Sequence, residues 1–170
     1  MRPYQIFAAM KPDQARGLFD VLQEKAPVAW LQALGLTAGA LKARPVFVQK
    51  QPPERRAELM RRALARVASD PVAEEMLAVY FLECRNELLV DWLDRVGVEH
   101  DKGTLTGDPA APPAAKLREA VDGFRQAAAD PAEAADRELL LRAFAAQSSI
   151  DWPELDALLA AAEPLHAARR

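Results

Sequence analysis

Apolar residues recur along most of this chain at the three- and four-residue spacings of helices that bury one side. From Pro12, the positions Leu18 and Leu22, flanked by Phe19 and Val21, predict a first amphipathic helix. Pro27 predicts the start of a second, at the first-turn position where a missing N–H costs nothing. Gly35 predicts its end, with one further turn over 37–41. Residues 42–53 have no helical period, and Val46-Phe47-Val48 between prolines reads as an extended connection. At the N-terminus, Tyr4-Gln5-Ile6-Phe7 reads as a short extended arm.

The clearest amphipathic pattern covers 54–69. At about 100° per residue, Met60, Leu64 and Val67 share one face, while Arg55, Arg62 and Arg66 stack on nearly the opposite one. Asp70-Pro71 then supplies a cap and a first-turn proline for a helix expected over about 71–96, with a stop at Gly97. Its apolar residues, from Met76 through Tyr80, Cys84 and Leu88 to Trp92 and Val96, spread round most of the circumference. That distribution predicts a central helix packed on more than one side.

Beyond Gly97, a turn signal at Asp101-Lys102-Gly103 lies between Val98 and Leu105, so 98–105 is either a small hairpin or an irregular loop. Residues 106–115, rich in Pro and Ala, read as a linker. Helical spacing resumes over 116–128 with Leu117, Val121 and Phe124 on one side. Asp130-Pro131 repeats the cap-plus-proline start ahead of Leu139, Leu140, Ala143 and Phe144. Asp151-Trp152-Pro153-Glu154 resembles a capping box before Leu155, Leu158 and Leu159, and the tail from Glu163 is expected to fray. The expected fold is all-α: a compact multi-helix bundle of about seven to eight helices. Residues 1–105 form its N-terminal part, 106–115 the linker, and 116–170 a C-terminal part packing on the same core.

An internal echo accompanies this pattern. Phe19 precedes Trp30 by the same interval as Phe81 precedes Trp92, and the triplets Leu34-Gly35-Leu36 and Val96-Gly97-Val98 follow. The match leaves a degenerate repeat and a coincidence both open. Trp152 has no following glycine and only loosely continues the series.

With 170 residues, half of them hydrophobic and 28% charged, the balance is that of a globular chain able to bury a core. One cysteine, Cys84, excludes an internal disulfide and suits a reducing compartment. No apolar run approaches the ~20 residues needed to span a bilayer, and 1–10 lacks the features of a signal peptide. A cytoplasmic protein without membrane association is expected. Charge is uneven: 42–66 holds eight Lys or Arg against two Glu, whereas 70–101 holds nine Asp or Glu against two Arg. The basic block either meets phosphates or an acidic partner, or lies beside the acidic helix and is neutralised by it.

Catalytic constellations are hard to assemble from these residues. Glu99-His100-Asp101 offers three metal-capable side chains, but neighbours in an extended stretch point to opposite sides and no second histidine is near, so no metal is expected. Cys84 lies in an apolar pattern without an activating base. Glu83, Glu87 and Asp91 form a carboxylate ridge, but the Glu-x-x-His pairs of bundle iron sites are missing. Neither a catalytic residue nor a cofactor is assigned. The leading expectation is a noncatalytic helical module that binds another protein or itself, with Arg55, Arg62, Arg66, Phe47 and Trp152 as candidate contact residues. One alternative is a nucleic-acid-associated regulator using the basic helix 54–69. Another is a ligand-binding or enzymatic bundle whose site is assembled across helices.

Overall fold

Prolines write the helix starts of this chain. Pro12, Pro27, Pro45, Pro53, Pro131 and Pro153 each occupy the first position of an α-helix, where a fixed φ is already helical and the absent N–H has no partner to lose. The structure, a computed structural model, describes residues 1–161. The expected fraying tail from Glu163 lies outside the described residues. The fold is all-α, with ten α-helices and a single two-stranded hairpin among the described residues. No described helix is long and apolar enough to cross a membrane.

Two compact units divide the chain, Met1–Leu89 and the remainder from Val90 onward. The first contains a 3-10 turn (Pro3–Gln5), α1 (Ile6–Ala9), α2 (Pro12–Lys25), α3 (Pro27–Ala40), α4 (Pro45–Gln49), α5 (Pro53–Val67) and α6 (Asp70–Cys84). Helix α2 lies against α5, α6 and α3; α3 lies against α5 and α4; and α1 rests on α5. Phe7, Leu18, Leu22, Trp30, Met60, Leu64, Met76 and Tyr80 are buried between them. A basic side chain closes the amino end of this unit: Arg61 of α5 donates to the Phe7 and Ala8 carbonyls at 3.2 and 3.1 Å, satisfying acceptors that so short a helix leaves open.

In the second unit the carboxy-terminal part of α7 (Asn86–Val96) is followed by strands β1 (His100–Asp101) and β2 (Thr104–Leu105), then α8 (Ala114–Gln126), α9 (Pro131–Ala145) and α10 (Pro153–Ala161). Its core is a chain of rings. Trp92 stands 5.4 Å from Phe124 and 5.8 Å from Phe144, and Phe144 stands 5.2 Å from Trp152, in tilted or edge-on arrangements that suit ring quadrupoles. Beside the rings, the Arg137 guanidinium is only 7% exposed. It donates to Asp91 at 2.7 Å, to Glu133 at 2.7 Å and to the Phe124 carbonyl at 3.1 Å, and lies 4.5 Å above the Phe124 ring. Burial is the largest single influence on Arg137 and on Asp91 and works against their charge, but their mutual hydrogen bond, those with Glu133 and Arg95, and the accompanying charge attraction together outweigh it, holding the guanidinium's pKa above and the carboxyl's below its ordinary value. Asp130 caps α9 through the Ala132 and Glu133 N–H groups at 2.8 and 2.9 Å, as its place before Pro131 predicts.

Several expectations need correction. The helix expected over about 71–96 is two helices, because α6 ends at Cys84 and Arg85 adopts a non-helical φ/ψ of −135°/35°. Gly35 does not end α3: glycine inside a helix costs only ~1 kcal/mol, and packing on α5 and α4 carries the helix through it. The actual stop is Lys42, in the left-handed region at φ 50°, with Lys42 N–H bonded to the Gly39 carbonyl and Ala43 N–H to the Ala38 carbonyl. Val46-Phe47-Val48 is helical within α4, and Tyr4 to Phe7 is 3-10 and α-helical instead of extended, both starts being set by a proline whose influence exceeds β-branched preference. Gly97, unlike Gly35, is a helix terminator at φ 72°, so the two glycines of the internal echo do different work. At 98–105 the open choice resolves as the hairpin, with Lys102 and Gly103 both at positive φ as a tight antiparallel turn requires. His100 Nδ1 accepts from the Gly103 N–H at 3.1 Å and so staples that turn.

Two stability predictions follow from these positions. Lys42→Gly removes a side chain from the left-handed region and is expected to stabilise the chain by about 0.5–1 kcal/mol; a denaturant midpoint that is unchanged or lower contradicts this. Arg137→Met removes one donor each from Asp91, Glu133 and the Phe124 carbonyl and is expected to cost about 2–3 kcal/mol, less than breaking a fully buried pair because Asp91 keeps Arg95 and Glu133 keeps the Ala129 N–H. A loss below about 0.5 kcal/mol in chemical denaturation would show the network to be ornamental.

Candidate functional site

Exposed apolar side chains are concentrated in one part of the first unit. Among the described residues seven large hydrophobic side chains are exposed, and five of them are Val28, Leu31, Leu41, Val46 and Phe47. The first two project from α3 at 68% and 66% exposure, and Val46 and Phe47 from α4 at 49% each. These helices pack against each other, and both pack on α5. Isolated exposed hydrophobic residues are ordinary, but a cluster on adjacent elements is not.

The cause lies in the composition of α3. Its fourteen residues include no charged side chain. Ala29, Trp30, Ala33, Leu34, Thr37 and Ala38 face inward, with the Thr37 hydroxyl donating back to the Ala33 carbonyl at 2.7 Å. At about 100° per residue, Val28, Leu31, Gln32, Gly35 and Gly39 then fall on the opposite side, where an amphipathic helix would carry its charges. A Cβ built at Gly35 or Gly39 meets nothing within 4 Å, so this strip is open along its length.

Arg56 holds the strip's surroundings together. Its guanidinium sits 5.4 Å from the centroid of the Trp30 ring, donates to the Gln49 carbonyl at the end of α4 at 3.2 Å, and reaches Gln23 of α2 at 3.4 Å. Four helices therefore meet at one cation, and the exposed faces of α3 and α4 are held on a common frame. Around them the stretch 25–53 contains Lys25, Lys42, Arg44 and Lys50, all exposed, and no Asp or Glu. Lys25 has Glu24 at 3.7 Å, whereas no carboxylate among the described residues forms an ion pair with Lys42, Arg44 or Lys50.

The structure separates the residues expected to make contacts. Phe47 belongs to this surface. Arg55, Arg62 and Arg66 are exposed on one ridge of α5, but Arg62 Nε is bonded to Glu58 at 2.5 Å, which places a carboxylate within the ridge. Glu58 also receives both arms of Arg61 at 2.8 and 2.9 Å. The basic helix α5 and the acidic helix α6 both pack on α2, on α3 and on the N-terminal 3-10 turn. Trp152 is a correction: it is 3% exposed, stacks edge-on against Phe144 and donates its Nε1 hydrogen to the Pro109 carbonyl at 3.0 Å, so it serves the core of the second unit. Trp30 and Trp92 are buried as well.

Other places offer less chemistry. A cleft of about 430 Å³ at the helix break is lined by the consecutive residues Glu83 to Leu88, not by groups converging from different elements. Its Cys84 thiol is pushed up by burial, away from the reactive thiolate. Among the described residues no three His, Cys, Asp or Glu side chains converge as metal ligands. Comparison with family models, curated proteins and solved structures finds no match.

The α5 ridge has a predictable acid response. The hydrogen bond from Arg61 is the largest effect on the Glu58 carboxyl; burial opposes it, the Arg62 hydrogen bond and both charges reinforce it, and the pKa falls from its ordinary 4.5 to about 2. A depressed pKa means that its stabilisation is present above the unfolded value and is lost as pH falls from 4.5 toward 2. Because solvent screens these side chains, Glu58→Gln is expected to cost only about 0.5–1 kcal/mol at neutral pH, a difference that shrinks through this acid window. A penalty in urea titrations that stays constant down to pH 2 would refute this electrostatic origin.

Proposed function

We propose that the chain is a noncatalytic binding module that docks another protein on the outer faces of α3 and α4. The observation that carries this reading is the coincidence of an uncharged helix with five of the seven exposed large hydrophobic side chains. Water-exposed apolar area gains free energy when covered, at roughly 25 cal/mol per Å², and two-helix surfaces held on a rigid frame lose little entropy in docking. Phe47 is the anchor, because an aromatic ring contributes most where it enters a partner's pocket. One thiol held protonated by burial suits the cytoplasmic setting that the cysteine count suggests.

The test places a photo-reactive phenylalanine analogue at Leu31, at Phe47 and, as a control, at the exposed Gln126 of α8, in the full chain inside its own cells. A discrete protein adduct is expected from positions 31 and 47 and not from 126. Phe47→Asp is expected to remove the adduct at position 31 while leaving the melting temperature within about 2 °C, since the ring is already half in water. Adducts no more abundant at 31 and 47 than at 126 overturn the assignment.

A further inference from the structure

Resting on that reading, we infer that the occupant of the α3–α4 surface is an acidic amphipathic helix of a partner protein. Charge complementarity chooses among the possible occupants. The stretch 25–53 that carries α3 and α4 holds Lys42, Arg44 and Lys50, exposed in the connections next to these helices, besides Lys25 with its neighbour Glu24, and it contains no carboxylate of its own. A second copy docking by the same face would set Lys42, Arg44 and Lys50, none of them paired with a carboxylate among the described residues, against their own images, and like charges brought together at an interface disfavour association. A partner carrying Asp and Glu beside its apolar residues meets these cations with opposite charge.

The shape of the strip favours a helix. Val28 and Leu31 lie about one turn apart, Gly35 and Gly39 continue the same line, and the space above both glycines is open. A helix laid along this line brings its own backbone close at the glycines and its i, i+3, i+4 and i+7 side chains against Val28, Leu31 and Phe47. An anionic lipid surface satisfies the cations too, but the aromatic residue best suited to a lipid interface, Trp30, is turned inward and covered by Arg56.

The experiment uses the full chain and three probes. The first is a synthetic helical peptide of about 20 residues built from Leu, Ala and Glu; the second replaces every Glu by Lys; the third is vesicles of phosphatidylserine and phosphatidylcholine. Binding is followed by fluorescence anisotropy for the peptides and flotation for the vesicles, with sedimentation velocity recording the oligomeric state. The acidic peptide is expected to bind at least about tenfold more tightly than the basic one, to weaken with added salt, and to weaken by a similar factor in the double variant Arg44→Glu, Lys50→Glu. Leu31→Asp is expected to abolish binding at all salt concentrations, and circular dichroism checks that both variants keep their helices. Equal or tighter binding of the basic peptide overturns the acidic partner while leaving protein docking in place. Vesicle binding without peptide binding overturns both readings. A stable dimer abolished by Leu31→Asp would identify a second copy as the occupant and overturn the inference, as would failure of the acidic peptide to bind.

Discussion

A helix with no charged side chain sets the terms for the first unit. Charged residues normally let a surface helix declare which side belongs in water, and α3 has none to use. Its orientation is instead set by what its neighbours can cover. Ala29, Trp30, Ala33, Leu34 and Ala38 are covered by the neighbouring helices, and the remaining side is left bare. Arg56 makes the arrangement specific, since one guanidinium touches the ring at the start of α3, the carbonyl at the end of α4 and a side chain of α2. A planar cation with five donors can hold several elements together in this way, whereas a lysine offers a single charged point.

The second unit reaches order by different means. Its rings pack in sequence from Phe124 through Trp92 and Phe144 to Trp152, and Arg137 lies over the first ring while tying α9 to Asp91. Here a buried charge is tolerated because two carboxylates and a backbone carbonyl share its hydrogen bonds. The arginines in the two units therefore act alike at helix junctions, although one sits in an exposed setting and the other in a nearly closed one.

Much of the helical plan was legible before any coordinates. Proline followed by a three-four spacing located the starts of α2, α3, α5 and α9 to within a residue or two, because proline's fixed φ acts locally and needs no tertiary partner. The break at Arg85 was hidden, since apolar residues continue on both sides and nothing in 80–90 resembles a stop signal. Helix α4 was hidden for the opposite reason: its β-branched residues favour an extended chain, and packing against α3 and α5 overrides that preference. Of the candidate contact residues read from sequence, Phe47 is half exposed and Trp152 is buried, because the size of a ring alone does not distinguish a core pillar from a surface group. Val28 and Leu31 went unnoticed, yet a signal existed. Fourteen helical residues without a charge must be enclosed on every side or leave an apolar face in solvent.

The segregation of charge in the first unit has a kinetic meaning of its own. Lys42, Arg44 and Lys50 lie in the connections on either side of α4 and the outer arginines on α5, while α6 carries Asp70, Glu74, Glu75 and Glu83. Such a body has an electric dipole, and in an external field a dipole feels a torque before it feels a contact. An anionic partner of the kind proposed above would turn such a unit as it drew near, so that fewer collisions were wasted on the wrong side. Orientation during diffusion thus becomes an inherited property of the sequence, set by where its carboxylates are missing as much as by where its cations stand.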